Sequence, residues 1–141
     1  KIMSSQLLTL ASPDYLALHG TPTHPLQLKQ HACLTYSNLR RPRQWDYKNQ
    51  YGMDIQVEVD SRININSSEL ELSLCCAGVG IARMPEFVLG DQLQTGQLVE
   101  LFADYQKQPV EVYLLYPSRT HMSAKVRSFI EHMLTETAKI C

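Results

Sequence analysis

Histidine, serine and acidic side chains are common catalytic groups, but their spacing in this sequence does not assemble a catalytic site. The five histidines fall at predicted loops and helix ends without metal-ligand spacing, at His19, His24, His31, His121 and His132. The sequence contains neither the GxSxG motif of a nucleophile elbow nor the HExxH motif of zinc proteases. We therefore expect a protein that is not an enzyme and that holds no metal ion and no cofactor.

Four cysteines, Cys33, Cys75, Cys76 and Cys141, are the other chemically strong residues. None stands in a CxxC pattern, and adjacent residues such as Cys75 and Cys76 point about 100° apart on a helix, which disfavours a shared metal or a local disulfide. The favoured interpretation is that the cysteines are reduced, mostly buried thiols of a cytoplasmic protein. A redox role is the less favoured alternative.

The charge pattern bears on possible polyanionic partners. The net charge is −1, from 13 basic and 14 acidic side chains, so the chain as a whole has no electrostatic attraction for nucleic acid. A local basic cluster, Arg40, Arg41 and Arg43, could attract an anionic effector or DNA. A solvated loop is the favoured interpretation of this cluster.

Strand and helix patterns alternate along the chain. The predicted strands cover residues 6–11, Cys33–Tyr36, 45–47, 55–59, 63–65, 79–84, 98–102 and 110–116. The predicted helices cover Pro13–His19, Pro25–Gln30, 69–77, 85–94 and 123–137, with Ser12 as the first N-cap. The apolar stretches are only strand-length, so no membrane segment is predicted. This alternation predicts an α/β domain with a largely parallel or mixed sheet.

Helical spacing predicts which faces of two helices are buried. The helix at 69–77 would place on one face Leu70, Leu74 and Ala77. Gly78 would end that helix. Together with Gly80 it suggests a phosphate-binding GxGxxG loop, but Arg83 stands where the third glycine of that motif is required. Helix termination at Gly78 and tight strand packing are therefore the favoured interpretation of the two glycines. The last helix carries an apolar stripe at Val126, Phe129, Ile130, Met133 and Leu134.

Five segments in a fixed order resemble the effector-binding domain of LysR-type transcriptional regulators. They are ASPDYLALHGTP (11–22), HACLTYS (31–37), RININSSELELSLCCAGVGIARMPEFV (62–88), GQLVELFADY (96–105) and VYLLYPSRTHMSAKVRSFIEHM (112–133). Two departures stand inside them. Cys75-Cys76 replaces small alanine-like residues, and Arg83 replaces a more apolar residue, so its charged end must reach the surface or a partner.

The resemblance implies a periplasmic-binding-protein-like (type 2) α/β fold with two lobes and a ligand cleft between them. Residues 1–116 would form the second lobe, and residues 117–141 the return segment and closing helix of the first lobe. The amino-terminal winged helix-turn-helix and most of the first lobe would be absent from this chain, which begins with Lys1. In that case, the stripe on the closing helix would either pack on the second lobe or be buried by self-association.

The resemblance also implies an effector site. Family members contact effector just after the strand that matches Cys33–Tyr36, which places candidates at Thr35, Tyr36, Ser37 and Asn38. An ordinary strand-to-loop exit is an equally weighted alternative. Asn66 and Ser67, at a predicted helix start, are weaker candidates, because a plain helix cap is the favoured interpretation of these two residues.

The function implied is that of an effector-sensing fragment of a cytoplasmic DNA-binding regulator. A small molecule would bind between the lobes and control transcription. We expect this molecule to be anionic, because helix amino-termini carry partial positive charge. DNA would be contacted only through the missing amino-terminal domain, and the fragment alone would bind effector weakly. The alternative is one lobe of a solute-binding protein of a transport system.

Overall fold

The computed structural model describes residues 1–116, 120 and 122–140. Within them lie eight strands, named in chain order β1 (Met3–Ala11), β2 (Cys33–Tyr36), β3 (Gln44–Lys48), β4 (Asp54–Glu58), β5 (Ser61–Ile65), β6 (Ile81–Pro85), β7 (Val99–Leu101) and β8 (Gln108–Val112). The α-helices are α1 (Pro13–His19), α2 (Ser68–Cys76) and α3 (Ala124–Ile140). Short 3₁₀ helices cover Pro25–Gln30 and Glu86–Val88.

Six of the strands in the described part of the chain form one mixed sheet. Its order is β5-β2-β6-β1-β7, and β8 pairs with the amino-terminal half of β1 on the same side as β7. Strand β2 is parallel to both of its neighbours, β5 and β6, whereas β1 is antiparallel to β6, β7 and β8. Strands β3 and β4 form a separate antiparallel hairpin. The predicted mixed α/β fold is therefore confirmed.

The sheet is covered on both faces, because alternate side chains of each buried strand point to opposite sides. One face packs against α1, the first 3₁₀ helix and the β3–β4 hairpin, with Tyr15, Leu28 and Trp45 at the centre of this apolar cluster. The other face packs against α2, where Leu10, Leu34 and Met84 lie in a second cluster. This two-sided burial explains why β1 and β6 are apolar on consecutive residues.

Several local signals specify their elements as predicted. Ser12 caps α1, since its side chain accepts a hydrogen bond from the Tyr15 backbone amide at 3.1 Å. Gly78 ends α2 with a φ of +79°, a left-handed conformation that favours glycine. A side chain at Gly80 would place its Cβ 2.8 Å from the Ala32 carbonyl oxygen, so close packing explains this glycine.

Two predicted elements are shorter than expected. The helix predicted over 85–94 is only the 3₁₀ turn Glu86–Val88, because Gly90 interrupts it and donates its backbone amide to the Gln92 side chain at 2.7 Å. The strand predicted over 110–116 is Gln108–Val112 instead. Its pairing stops at Val112 because the partner strand β1 begins opposite it, at Met3. Pro117, predicted to break this strand, lies outside the described residues.

The face of α2 predicted from helical spacing is buried only in part. Leu74 is half-buried against the second apolar cluster, but Leu70 is half-exposed and Ala77 is exposed, and the fully buried side chains of the helix are those of Glu71 and Cys75. The Cys75 thiol donates to the Leu10 carbonyl at 3.4 Å. Of the thiols, Cys33 and Cys75 are buried and Cys76 is half-buried, all three are free, and Cys141 lies outside the described residues.

The apolar stripe of α3 is not buried against the sheet. Among its members Val126, Phe129 and Leu134 remain 40%, 54% and 45% exposed. Of the two predicted arrangements, packing on the second lobe is therefore wrong for these side chains. Burial by self-association stays a prediction.

Candidate functional site at the carboxyl edge of the sheet

The sheet topology brings the sequence-predicted site residues to one edge. Because β2 and β5 are parallel and adjacent, with Tyr36 opposite Ile65, the two loops that follow them start side by side. The Ser37 backbone amide extends this pairing by donating to the Ile65 carbonyl at 2.8 Å. Strands β6 and β8 end at the same edge, and β1 starts there. We call this the carboxyl edge.

Thr35 lies below the edge rather than on it. Its side chain is only 1% exposed, and its hydroxyl donates to Asn64 Oδ1 at 2.9 Å and lies 2.6 Å from the Ser61 hydroxyl. These contacts join β2 to β5. The side chain therefore supports the geometry of the edge, and it is not on the surface where a ligand would bind.

The next three residues are at the surface. Tyr36 and Ser37 are half-buried and Asn38 is exposed. The Asn38 amide donates to the Tyr36 hydroxyl at 3.1 Å, which orients two neutral polar groups toward each other. This segment can offer hydroxyl, amide and backbone hydrogen bonds, but no fixed charge.

The start of α2 completes this part of the edge. Ser67 is the N-cap, and its hydroxyl accepts from the Leu70 amide at 3.3 Å, so that hydroxyl is already engaged. Asn66, one residue earlier, is exposed. The amide groups of the first turn carry partial positive charge, but the exposed carboxylate of Glu69 in the same turn offsets it.

Glu71 is the most unusual titratable group near this edge. It is 2% exposed, and its Oε1 atom has no hydrogen-bond partner in the described part of the protein. Burial raises the pKa of this carboxyl to about 7. The cause is desolvation, because the charged carboxylate loses its hydration inside the protein. The sequence pattern missed this group, because a Glu in a first helical turn is ordinarily solvated.

The far side of the edge carries charged and apolar groups that sequence reasoning also missed. The Lys1 ammonium pairs with Glu111 at 3.2 Å, and Tyr113 donates a hydrogen bond to the same carboxylate. The Tyr113 hydrogen bond and the Lys1 contacts lower the Glu111 pKa. Three large side chains at or just beyond this edge are exposed: Phe87 at 49%, Tyr113 at 56% and Leu115 at 90%. Sequence reasoning could not bring Lys1, Glu111 and Tyr113 together, because it does not give the register of β8 against β1.

Arg83 is half-buried between the sheet and the β3–β4 hairpin. Its guanidinium lies 4.6 Å from the Tyr47 ring centroid and donates to the Gln108 side chain at 2.5 Å and to the Asp46 carbonyl. The expectation that its charged end needs a partner is thereby confirmed. The Tyr47 hydroxyl in turn lies 2.7 Å from Thr9 Oγ1. Together these contacts fix the β3–β4 hairpin to the sheet.

The described residues carry neither a candidate membrane-spanning helix nor a candidate metal cluster. None of the helices in residues 1–116, 120 and 122–140 is long and apolar enough to cross a membrane. Over the same residues, no group of three or more histidine, cysteine or acidic side chains could hold a metal ion.

Comparisons with known proteins agree with this architecture. Residues 1–138 match the family described as the LysR substrate binding domain. An uncharacterised HTH-type transcriptional regulator of Haemophilus influenzae is 32% identical over 126 residues, covering 89% of this chain and 43% of the relative. The chain thus spans less than half the length of this relative.

Solved structures show the same fold. The full-length Vibrio cholerae virulence activator AphB, a member of the LTTR family, superimposes with a TM-score of 0.83 at 31% identity, covering 97% of this chain and 46% of AphB. The regulatory domain of CrgA, a LysR-type transcriptional regulator from Neisseria meningitidis, gives a TM-score of 0.76 at 25% identity, covering 96% of this chain and 66% of that domain. These likenesses confirm the periplasmic-binding-protein-like type 2 class.

Proposed function

The chain belongs to the LysR substrate-binding domain family, and we propose that it senses a small-molecule effector at the carboxyl edge for a DNA-binding transcriptional regulator. The observation that carries this proposal is the convergence of two polar loops. The loop after β2 and the start of α2 begin at paired residues, Tyr36 and Ile65. Ligands of open α/β sheets bind outside the carboxyl ends of strands, where such loops meet.

The chemistry of the edge restricts the effector. Tyr36, Ser37, Asn38 and Asn66 supply neutral hydrogen-bonding groups, whereas the hydroxyl of Ser67 is engaged as the cap. An anionic effector would gain from the positive end of α2 only what Glu69 leaves uncompensated. We therefore expect that groups outside this lobe compensate most of the negative charge of the effector. The neutral residues at the carboxyl edge would recognise its hydroxyl or carbonyl oxygens.

The parts of the proposal that reach beyond this chain follow from its relatives. The relatives compared above are transcriptional regulators, which favours a regulator over an enzyme or a solute-binding protein of a transport system. DNA would be contacted through a separate amino-terminal domain of the whole protein. Effector binding would shift the lobe arrangement, and an oligomer in which the α3 stripe is buried would pass that shift to the DNA.

A thermal-shift screen of the full-length protein against small metabolites tests the proposal. A compound that raises the melting temperature should do so by contacts at the carboxyl edge, so the double substitution Asn38→Ala and Asn66→Ala should abolish the shift. Gln30→Ala and Gln50→Ala, both at exposed positions away from the edge, are the matched control. The proposal fails if the double variant retains the full shift, or if the compound leaves DNA binding unchanged.

A further inference from the structure

A cavity lies at the end of the sheet opposite the carboxyl edge. It is an open groove of about 560 Å³ lined by Lys29, Arg41, Pro42, Arg43, Gln44, Gln56, Val57 and Glu58, and we call it the basic groove. The Arg43 carbonyl accepts from the Val59 amide at 2.8 Å, and Asp60 next along the chain accepts from Cys33, the first residue of β2. The groove is therefore near the amino end of β2, whereas the carboxyl edge lies at its other end.

The lining of the groove has an excess of positive charge. It contains three cationic side chains and one acid, Glu58. The Arg43 guanidinium is 3.9 Å from the Glu58 carboxylate, and these side chains are 58% and 75% exposed, so the pair is long and screened by solvent. Arg41 donates to a neutral partner, the Gln44 side chain, at 3.2 Å. Most of the cationic charge is therefore uncompensated by the described groups that line the groove.

The loop that carries the two arginines is fixed by the fold. The indole of Trp45, only 3% exposed, donates to the Pro42 carbonyl at 3.2 Å. Arg43 Nε donates to the Val59 carbonyl at 3.3 Å, which orients its guanidinium. A ligand would therefore bind a backbone that is already ordered, which lowers the entropic cost of association. A freely solvated loop would lack these contacts.

We propose that the basic groove is a second ligand site, which binds a small multivalent oxyanion such as a tricarboxylate or a pyrophosphate. Guanidinium groups match carboxylate and phosphate oxygens through paired hydrogen bonds, and Lys29 adds a further positive charge. A volume of about 560 Å³ suits a small molecule. A nucleic-acid backbone is the poorer match, because the chain as a whole carries a net charge of −1.

Titration calorimetry of the full-length protein at constant ionic strength tests this site, with citrate and inorganic pyrophosphate as separate probes. The double substitution Arg41→Gln and Arg43→Gln should weaken binding of the preferred probe by about tenfold or more, the loss expected for one or two charge-assisted hydrogen bonds. Lys125→Gln with Arg127→Gln removes the same charge from exposed positions in α3, which does not line the groove, and should leave the affinity unchanged.

The outcomes separate this site from the carboxyl edge. Lys29→Gln, which breaks none of the hydrogen bonds described here, should weaken the same probe a few-fold and guards against a folding defect in the double variant. The Asn38→Ala and Asn66→Ala variant should bind the probe normally, whatever it does to effector binding. The proposal is overturned if neither probe binds, if the control variant weakens binding equally, or if the arginine variant loses only affinity for DNA.

Discussion

The buried carboxyl of Glu71 makes the stability of this lobe depend on pH. The side chain is 2% exposed and burial raises its pKa from 4.5 to about 7. Between these two values the folded state keeps its proton while the unfolded chain loses it. The contribution of Glu71 to the free energy of unfolding must therefore fall as the pH rises through this window, and the loss is complete above the folded pKa.

The magnitude follows from the same two pKa values. Integrating proton binding from about pH 5 to about pH 8 gives a loss of roughly 2.5 kcal/mol, since one pKa unit corresponds to about 1.4 kcal/mol. The favourable field of the α2 terminus, about 0.3–1 kcal/mol, acts in the opposite direction and would reduce this loss. Glu71→Gln removes the ionisable proton and keeps the shape of the side chain.

Urea unfolding of wild type and variants at the two pH values measures this effect. We expect Glu71→Gln to be about 2–3 kcal/mol more stable than wild type near pH 8, with most of that gain absent near pH 5. Glu69→Gln is the matched control, because Glu69 lies in the same helical turn but is exposed. It should bring no stabilisation at either pH. Equal pH dependence in wild type and Glu71→Gln would refute the reasoning.

Two further predictions concern the packed interior. Gly80→Ala should destabilise the protein by about 1–3 kcal/mol in urea unfolding, because the new methyl would meet the Ala32 carbonyl at 2.8 Å; a smaller change would mean that the backbone relaxes. Burial, and secondarily the nearby His19, lower the His31 pKa. The fold therefore favours neutral His31, whose Nδ1 lies 2.8 Å from the Tyr15 hydroxyl. The contribution of His31 to the free energy of unfolding should fall as the pH drops below about 6.5, which is opposite in sign to the contribution of Glu71, so the net pH dependence is the sum of the two. NMR titration of the imidazole that showed an unshifted or raised pKa would contradict this.

Elements with strong local signals were predictable with their bounds. Helix α1 and the 3₁₀ helix Pro25–Gln30 have the predicted limits, because proline starts and a serine cap act through the neighbouring residues alone. Strand β2 also has its predicted limits. Strand β8 was not predictable in this way. Its end at Val112 is set by the start of β1, more than 100 residues earlier, and no local pattern reports that register.

The position of the candidate residues at strand ends and helix starts was predictable, but the exposure of their side chains was not. Thr35 and Tyr36 are adjacent in the sequence, but the side chains of a β-strand alternate in direction. The Thr35 side chain therefore points inward and hydrogen-bonds Asn64, whereas Tyr36 is half-buried at the surface. Glu71 shows the reverse error. A glutamate is expected to be exposed to solvent, but the packing of α2 on the sheet buries this one. A hydrophobicity pattern along the sequence does not contain information on that packing.

The distribution of charge over the lobe also argues for a division of roles between its two ends. At the carboxyl edge the surface groups that could bind effector are neutral, and Lys1 is already paired with Glu111. At the other end, Arg41 and Arg43 stand on a fixed loop with only one acid among the groove residues. A ligand whose recognition depends on hydrogen-bond geometry is suited to the first end, and one recognised through multiple negative charges to the second. Salt should therefore weaken binding to the basic groove much more than binding to the carboxyl edge, because screening acts on exposed charges and hardly on neutral hydrogen bonds.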